Sequence, residues 1–412
     1  MPPTADSCGP SPRLLVVTVD RLPAWMLSAW GATWVAMPAL DALAAGGLSF
    51  DRVITPSLDP RKTACELLGE AGGMSILSIA EAQGRRVAIV TDQPAIVEAV
   101  PAGASVDRTI VEAVCPRDIA ADEASTNLGR LFAAAAHVAA ERRHDLIWCH
   151  AGSLGVAWDA PDEFRQIYLD PDDPAPPPGA AVPNHGVDAG ADPDLFVSLR
   201  HVFAAQFTLL DRCIGRLAAT MGKRSIILVA GLRGMPLGLH GWMGGAGAEA
   251  DDRLPFSEST HVPAILVDAE GRMAGQRFGG LVVPADLGAT LRELTAAGVV
   301  PPSAPWEGKS LVSLVREWRM DPRDRVVVRT PAGDAIVTPS WQLIDARGEG
   351  GGHRQMLFSK PDDFFECNDV ADRCGGVVDA LAAVLGRGGA DDSDDAWRTP
   401  IPAPTGNAPS EG

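Results

Sequence analysis

This sequence of 412 residues lacks long apolar runs, an excess of basic residues and cysteines in a metal-binding spacing. Apolar residues make up 46% of the chain, which is enough for a sizeable core. The longest runs, such as Leu14–Val19, have the length of buried strands, whereas a membrane-spanning helix needs about 20 apolar residues. The formal net charge of −18 disfavours nucleic acid and anionic membranes as partners, because both attract basic surfaces.

The cysteines and the N-terminal residues indicate in which cellular compartment the protein is expected. Seven cysteines, an odd number, are spread along the chain, which predicts reduced thiols, with a Cys367–Cys374 disulfide as the alternative. The opening residues, MPPTADSCGPSPR, carry no basic start followed by an apolar block. We therefore expect no secretory signal and a cytoplasmic location.

Apolar runs typical of buried strands alternate with helical segments over most of the chain, which predicts a mostly parallel sheet covered by helices on both faces. The strand-like runs include Leu14–Val19, Arg86–Thr91, Leu146–Cys149, Ser225–Ala230 and Val262–Val267. Ligands of such sheets bind beyond the carboxyl ends of the strands. We therefore expect Asp20, Asp92, His150 and the turn 231–234 to share one crevice.

The helical segments are separated by glycine- and proline-rich stretches. They are Pro38–Ala45, Thr63–Gln83, Glu123–Arg143, Leu195–Met221 and Asp286–Ala297. The segment 170–194 is rich in proline, glycine and aspartate, which predicts a long surface loop.

The pattern changes after Pro322, where short strands separated by turn residues precede a helix at Gly375–Leu385. We predict an α/β domain at 13–322 and a small antiparallel α+β subdomain at 323–387. Residues 1–12 are expected to form a flexible N-terminus, and 388–412 a disordered acidic, proline-rich tail.

Short blocks of the sequence resemble those of sulfatases, in the alkaline phosphatase superfamily. The segments VVTVDRLPAWMLSAWG and MPALDALAAGGLSFDRVIT resemble the opening of the family. Further along, GMPLGLHG resembles the family's GEMLGEHG, and PFSESTHVPAILV resembles its YEES-x-RVPLIV. Towards the C terminus, WQLIDA, LFSKPDD and CNDVADR resemble the family's closing blocks. The blocks keep the family order from Leu14 to Leu385. The resemblance therefore implies an α/β fold of the alkaline-phosphatase/sulfatase type, with a mostly parallel sheet sandwiched by helices and a small C-terminal α+β subdomain.

Sulfate-ester cleavage in that family uses a hard divalent cation held by carboxylates and a modifiable Cys or Ser nucleophile. Asp20 matches the first metal carboxylate and is the only candidate metal ligand that remains. The following position, often a second aspartate, is Arg21.

The nucleophile segment, TPSLDPRKTACELLG, provides neither Cys nor Ser in register. If Pro60 anchors the alignment, Leu58 takes the nucleophile position and Lys62 replaces the motif arginine. If Gly69 anchors it, Asp59 takes the nucleophile position and Thr63 that of the arginine. Both registers remain open.

The metal-binding turn departs further from the family. Its S-D-H-G falls on residues 231–234, so Leu232 replaces a metal carboxylate and Arg233 replaces its neighbour. The family's lysine in HGLWGK falls on Gly245, and another family histidine falls near Gly155. Because a guanidinium cannot bind a metal ion, we predict that Arg233 lies in the metal position and pairs with Asp20.

The resemblance thus implies a catalytically degenerate sulfatase-like protein that needs no cofactor and whose crevice tolerates a small anion, such as a sulfate or phosphate ester. Candidate residues of this crevice, besides Asp20, are Asp59, Arg61, Lys62, His150, Arg233 and His240. For His150 the alternative is a role in core hydrogen bonding, and for His240 it is a role in packing. A second hypothesis is an active sulfuric or phosphoric ester hydrolase with a rearranged metal centre, which would need Ca²⁺ or Mg²⁺ and would use Asp20, Asp59 and His240. A third is a scaffold subunit for an active sulfatase, which would expose a large apolar patch.

Overall fold

A computed structural model describes residues 12–69, 75–99, 105–188, 190–245, 247, 252–295, 308–312, 323–348 and 351–387. These residues form one large sheet flanked by helices and a smaller antiparallel sheet towards the C terminus. The large sheet contains β1 (Arg13–Val19), β2 (Leu48–Ile54), β3 (Val87–Thr91), β4 (Asp107–Ile110), β5 (Leu146–Ala151), β7 (Ser225–Gly231), β9 (His261–Val267) and β10 (Gln276–Val282). Two short strands, β6 (Asn184–Gly186) and β8 (Trp242–Gly244), pair with each other.

The strands of the large sheet lie in the order β10-β2-β9-β7-β1-β5-β3-β4. Strand β9 is antiparallel to its neighbours β2 and β7, and the other neighbouring strands are parallel. Leu14 at the start of β1 pairs with Leu146 of β5 and with Ile226 of β7. This register brings the carboxyl ends of the central strands to one edge, as predicted for a mostly parallel sheet.

Helices cover both faces of this sheet. The helices are α1 (Pro38–Gly46), α2 (Pro60–Leu68), α3 (Ile76–Ala82), α4 (Pro94–Ala99), α5 (Asn127–Ala140), α6 (Asp162–Arg165), α7 (Pro193–Met221), α8 (Ser257–Thr260), α9 (Pro284–Thr295) and α10 (Gly375–Arg387). Helices α1, α5 and α7 pack on one face, and α2, α3, α4 and α9 pack on the other. Among the described helices, none combines the length and the apolar character needed to cross a bilayer.

The two cores explain why β1 is a continuous apolar run. Leu15, Val17 and Val19 point into the core on the α7 face, whereas Leu14 and Val16 point into the core on the α2 face. Alternate side chains of a strand point to opposite faces, so a strand covered on both sides needs apolar residues at every position.

Two predicted helices begin or divide differently in the structure. The helical segment predicted from Thr63 comprises α2, which already begins at Pro60 after the N-cap Asp59, and α3; residues 70–74 between them lie outside the described residues. The segment predicted from Glu123 starts with a 3-10 turn, and α5 follows it because the Thr126 hydroxyl caps the Gly129 N–H at 2.8 Å. The predicted loop 170–194 contains β6 and the first two residues of α7.

The smaller sheet consists of β11 (Val326–Arg329), β12 (Gly333–Val337), β13 (Trp341–Arg347) and β14 (His353–Ser359), each antiparallel to the next. Helix α10 packs against one of its faces. The opposite face packs on the large sheet through Ile54 of β2 and Leu281 of β10. The predicted C-terminal α+β unit is confirmed. The predicted flexible N-terminus, 1–12, and tail, 388–412, lie outside the described residues except for Pro12.

Candidate functional site

The carboxyl ends of β7, β1, β5 and β3 lie side by side, as the sequence predicted. The N–H of Asp20, just after β1, donates to the carbonyl of Ala151 at 2.9 Å. The N–H of Leu22 donates to the carbonyl of Arg233 at 2.8 Å, which ties the turn after β7 to the turn after β1. Charged side chains from separate turns are thereby placed next to each other.

Asp20 and Arg233 form a two-point ion pair in the interior. Arg233 Nε donates to Asp20 Oδ1 at 2.8 Å, and Arg233 Nη2 donates to Asp20 Oδ2 at 3.0 Å. The side chains are 0% and 1% exposed for Asp20 and Arg233, respectively. Arg233 Nη1 also donates to the carbonyl of Leu58 at 3.0 Å. The predicted ion pair is present, and it also ties the turn after β7 to the segment that precedes α2.

The charge of Asp20 depends on this partner. Burial by itself raises the pKa of the carboxyl, but attraction to Arg233, and then to Arg21, outweighs burial and holds the pKa below its usual value. The carboxylate is therefore ionised, with both oxygens engaged by a guanidinium.

A divalent metal ion does not fit this arrangement. Calcium and magnesium require several oxygen ligands, and a guanidinium repels a cation. Among the described residues, no three His, Cys, Asp or Glu side chains come together as a group that could hold a metal ion. At Asp20, the candidate ligand predicted from the sequence, both oxygens face Arg233 instead.

Arg21 is the residue of this region to which the sequence assigned no role. It is 2% exposed, adopts a left-handed backbone conformation with φ of 61°, and its Nη2 donates to the carbonyl of Gly247 at 3.1 Å. A Cβ added at Gly155 would lie 2.8 Å from Arg21 Nε, and one added at Gly245 would overlap Arg21 Nη1. Both glycines therefore leave space for the Arg21 side chain. By the resemblance drawn from the sequence, Gly245 takes the position of a sulfatase lysine and Gly155 lies near that of a histidine.

The nucleophile segment lies at the start of α2. The Leu58 side chain is 2% exposed, and Asp59 caps the helix by accepting from the Arg61 N–H at 3.0 Å. The Arg61 side chain folds back to Asp59 with Nε at 3.3 Å, and Lys62 is exposed. Asp59 thus serves as a helix cap, and the two cations lie on the surface beside the buried pair.

His150, predicted to line the pocket or to form core hydrogen bonds, takes the second role. It is 0% exposed, and burial lowers its pKa to about 4. His150 Nε2 lies 2.9 Å from Gln93 Oε1, which can only accept, so Nε2 carries the proton of the neutral ring and donates to it. His150 Nδ1 therefore accepts from the Thr18 hydroxyl at 2.8 Å, and that hydroxyl accepts from Trp148 Nε1 at 2.9 Å. Its ring is neutral and fully engaged.

His240 belongs to a cluster formed with α8 and the chain after β14. Its Nδ1 lies 3.0 Å from Glu258 Oε1, and its ring stacks on Phe256 with centroids 3.7 Å apart. Burial lowers the pKa of His240, but the hydrogen bond and charge of Glu258 outweigh burial, so the net shift is upward. A packing role, one of those predicted, accounts for these contacts.

Asp92, at the end of β3, is a buried carboxyl group of a different kind. Its Oδ1 accepts from the Gly152 N–H at 2.7 Å, and its Oδ2 accepts from the Ser153 N–H at 3.1 Å. Burial raises its pKa to about 6, and these hydrogen bonds offset only part of that effect. These contacts give Asp92 a structural role: it stabilises the turn after β5.

Comparisons with known proteins identify the fold. No family model matches the chain, and no curated protein matches it in sequence. Among solved structures, the phosphonate monoester hydrolase of Agrobacterium radiobacter is similar, with a TM-score of 0.69, 14% identity, and coverage of 91% of this chain and 94% of that chain. A phosphonate monoester hydrolase from Silicibacter pomeroyi gives 0.65 and 16% identity over 92% and 94% of the two chains, and a 2-O GAG sulfatase gives 0.65 and 13% over 96% and 95%. The chain has the fold of these proteins, and the predicted resemblance is confirmed at that level.

Proposed function

We propose that this chain is a sulfatase-like protein without hydrolase activity, in which arginine side chains fill the space used for metal-dependent chemistry. The observation that carries the proposal is the buried two-point pair between Arg233 and Asp20. A cation fixed on the one remaining carboxylate neutralises it and would oppose the approach of a divalent ion.

The surroundings of the pair support the same proposal. Arg21 extends past Gly155 and Gly245. By the resemblance, Gly245 takes the position of a sulfatase lysine and Gly155 lies near that of a histidine, and both of those residues handle the anionic group. The start of α2 offers a buried leucine and a helix-capping aspartate in place of an activated nucleophile. The residues at these positions stabilise the fold and lack the chemistry of a group-transfer centre.

A small anion, such as a sulfate or phosphate ester, is the ligand class that accompanies this proposal. Related folds are described as phosphonate monoester hydrolases and sulfatases, and one was solved with D-glucosamine-2-N,6-O-disulfate as its substrate. Arg61 and Lys62 provide positive charge at the surface beside Leu58. Since Asp59 already caps α2, an anion would bind to these side chains rather than to the backbone N–H groups of the helix.

The alternative function is an active sulfuric or phosphoric ester hydrolase. The enzymes with the same fold favour it, and Asp20, Asp59 and His240 would then provide the chemistry. It requires that Arg233 leave Asp20 and that a divalent ion take its place, so the two functions differ in their need for metal.

The test combines metal analysis with turnover. Purified protein would be assayed with an aryl sulfate, an aryl phosphate and an aryl phosphonate monoester, with calcium, magnesium or manganese added. We expect no stoichiometric metal and no turnover above that of an Asp20→Ala control. Metal-dependent turnover that disappears in Asp20→Ala would overturn the proposal and establish the hydrolase.

A further inference from the structure

A cavity of about 330 Å³ lies between the large sheet and the C-terminal sheet. Residues of β2, β9 and β10 form one wall, and residues of β12, β13 and the chain after β14 form the other. Its volume is within the range of small-molecule sites, which begins near about 300 Å³. Asp20, Arg21, Leu58 and Arg233 are not among its lining residues, so it is separate from the strand-end site.

Arg52 brings an uncompensated positive charge to this cavity. Its Nη1 donates to the Pro339 carbonyl at 2.8 Å and its Nη2 donates to the Thr338 carbonyl at 2.7 Å. Among the described residues, no carboxylate lies within ion-pair distance of its guanidinium, although burial lowers its pKa. A guanidinium remains protonated at neutral pH, so the charge persists without an anionic partner.

The other charged groups of the cavity are paired. Lys360 Nζ lies 2.9 Å from Glu366 Oε1, and Arg277 pairs with Asp51. Burial lowers the pKa of His261 to about 4, and its Nε2 lies 2.7 Å from the Asp51 carbonyl, to which it donates. The ring is neutral, so the unbalanced charge of the cavity is the charge of Arg52.

The rest of the lining is apolar and partly aromatic. Trp30 and Phe364 are half-buried ring systems, while Ile54 and Val337 are 4% and 2% exposed. An apolar wall with a few polar groups that fix orientation is typical of pockets for small organic ligands. The wall is suited to a flat apolar body, and Arg52 is suited to an anionic group.

We propose that this cavity binds a small organic anion with a flat apolar body, whose charged group pairs with Arg52. The ligand supplies the negative charge that the protein lacks there, which removes the cost of a half-buried unpaired cation. The inference goes beyond the proposed function, because it concerns a second site formed by the two sheets together.

The probe for this site is benzoate, compared with benzamide, which keeps the ring without the charge, and with acetate, which keeps the charge without the ring. Isothermal titration of the full chain is expected to show benzoate binding at least tenfold more tightly than either comparison compound. Arg52→Gln should weaken benzoate at least tenfold, because the counter-charge is lost.

A second variant blocks the cavity without removing a charge. A Cβ at Gly279, which lines the cavity, would meet only Asp51 Oδ2, at 3.8 Å, so the backbone accepts a side chain there, and Gly279→Leu is expected to fill part of the space. It should abolish benzoate binding even if Arg52→Gln fails to fold. The matched control is Gly46→Leu, at a glycine whose Cβ would have nothing within 4 Å, and it should bind like the original protein.

Three results would overturn the inference: benzoate and benzamide binding equally, benzoate failing to bind at millimolar concentration, or binding that survives in Gly279→Leu. If Arg61→Gln removed benzoate binding while Gly279→Leu retained it, the anion would sit beside α2. That outcome would support the ligand class of the proposed function and reject the second site.

Discussion

Two buried carboxyl groups follow the strands on either side of β5, and they are in opposite electrostatic situations. Asp20, after β1, has a pKa held below its usual value because attraction to Arg233 outweighs burial. Asp92, after β3, has a pKa raised to about 6 because burial outweighs the hydrogen bonds that it receives from Gly152 and Ser153. Burial is nearly the same, and the partner sets the direction of the shift.

The contrast shows what would convert a metal-site carboxylate into a structural one. A carboxylate that binds metal must stay ionised with lone pairs available to the ion. Asp20 stays ionised, but both of its oxygens face a guanidinium. The oxygens of Asp92 accept from the Gly152 and Ser153 N–H groups, and its pKa of about 6 leaves a fraction of it protonated near neutral pH. Neither meets both conditions, which agrees with the proposal of a non-catalytic protein drawn from the buried Arg233–Asp20 pair.

The largest effect is expected from removing the cation that pairs with Asp20, because this removes the difference between the two carboxyl groups. Arg233→Leu leaves an unpaired buried carboxylate, so we expect the free energy of unfolding to fall by about 3–5 kcal/mol. Urea unfolding followed by circular dichroism measures it. Asp20 would then resemble Asp92, with a raised pKa.

Two controls accompany this variant. Asp20→Leu combined with Arg233→Leu should recover much of the loss, because no charge remains buried. Arg272→Leu breaks a pair with Asp268 in which the arginine is 46% exposed, so it should cost no more than about 1 kcal/mol. A similar cost for Arg233→Leu would show that the buried pair does not stabilise the fold.

His150 lies between the two carboxyl groups and provides a pH test. Its pKa falls from 6.5 to about 4 on folding, so its contribution is complete above pH 6.5 and is lost as the pH falls towards 4. The loss amounts to about 3 kcal/mol. His150→Gln, which can still bond to Thr18 and Gln93, should remove this part of the acid destabilisation.

The control for this pH test is His137→Gln, at a side chain that is 79% exposed. The pH dependence of its unfolding free energy should match that of the original protein. His261, whose pKa is also lowered to about 4, leaves residual acid sensitivity in both variants. Equal slopes for His150→Gln and His137→Gln would contradict a neutral buried His150.

The central sheet could be predicted because its strands are covered on both faces. Runs such as Leu14–Val19 are apolar at every position, and the alternation with helices orders them. The antiparallel direction of β9 could not be predicted, because an apolar run does not indicate whether its strand runs parallel or antiparallel to its neighbours. Strand β10 was missed because four of its first five residues are polar or glycine, and five of its seven positions are exposed or only partly buried.

The site could be predicted only at positions where the residue differs from the one that the sulfatase resemblance implies. Arg233 at an expected metal position predicts its pairing with Asp20. The role of Arg21 depends on a left-handed backbone and on space left by distant glycines, which no local pattern reveals. The cavity at Arg52 depends on contacts with Thr338 and Pro339, far along the chain, so the sequence gives no local indication of it.

The comparison is sharpened by replacing each carboxyl group with its amide and following stability against pH. The pKa of Asp92 is raised from 3.8 to about 6, so its stabilising contribution is complete below pH 3.8 and is lost as the pH rises through 6. Relative to Asp92→Asn, the original protein should lose about 3 kcal/mol between these limits. Asp20, whose pKa is lowered, contributes above its unfolded pKa, so the original protein should gain stability with rising pH relative to Asp20→Asn. Chemical unfolding at a series of pH values measures both differences, and slopes of the same sign would show that Arg233 does not set the charge of Asp20.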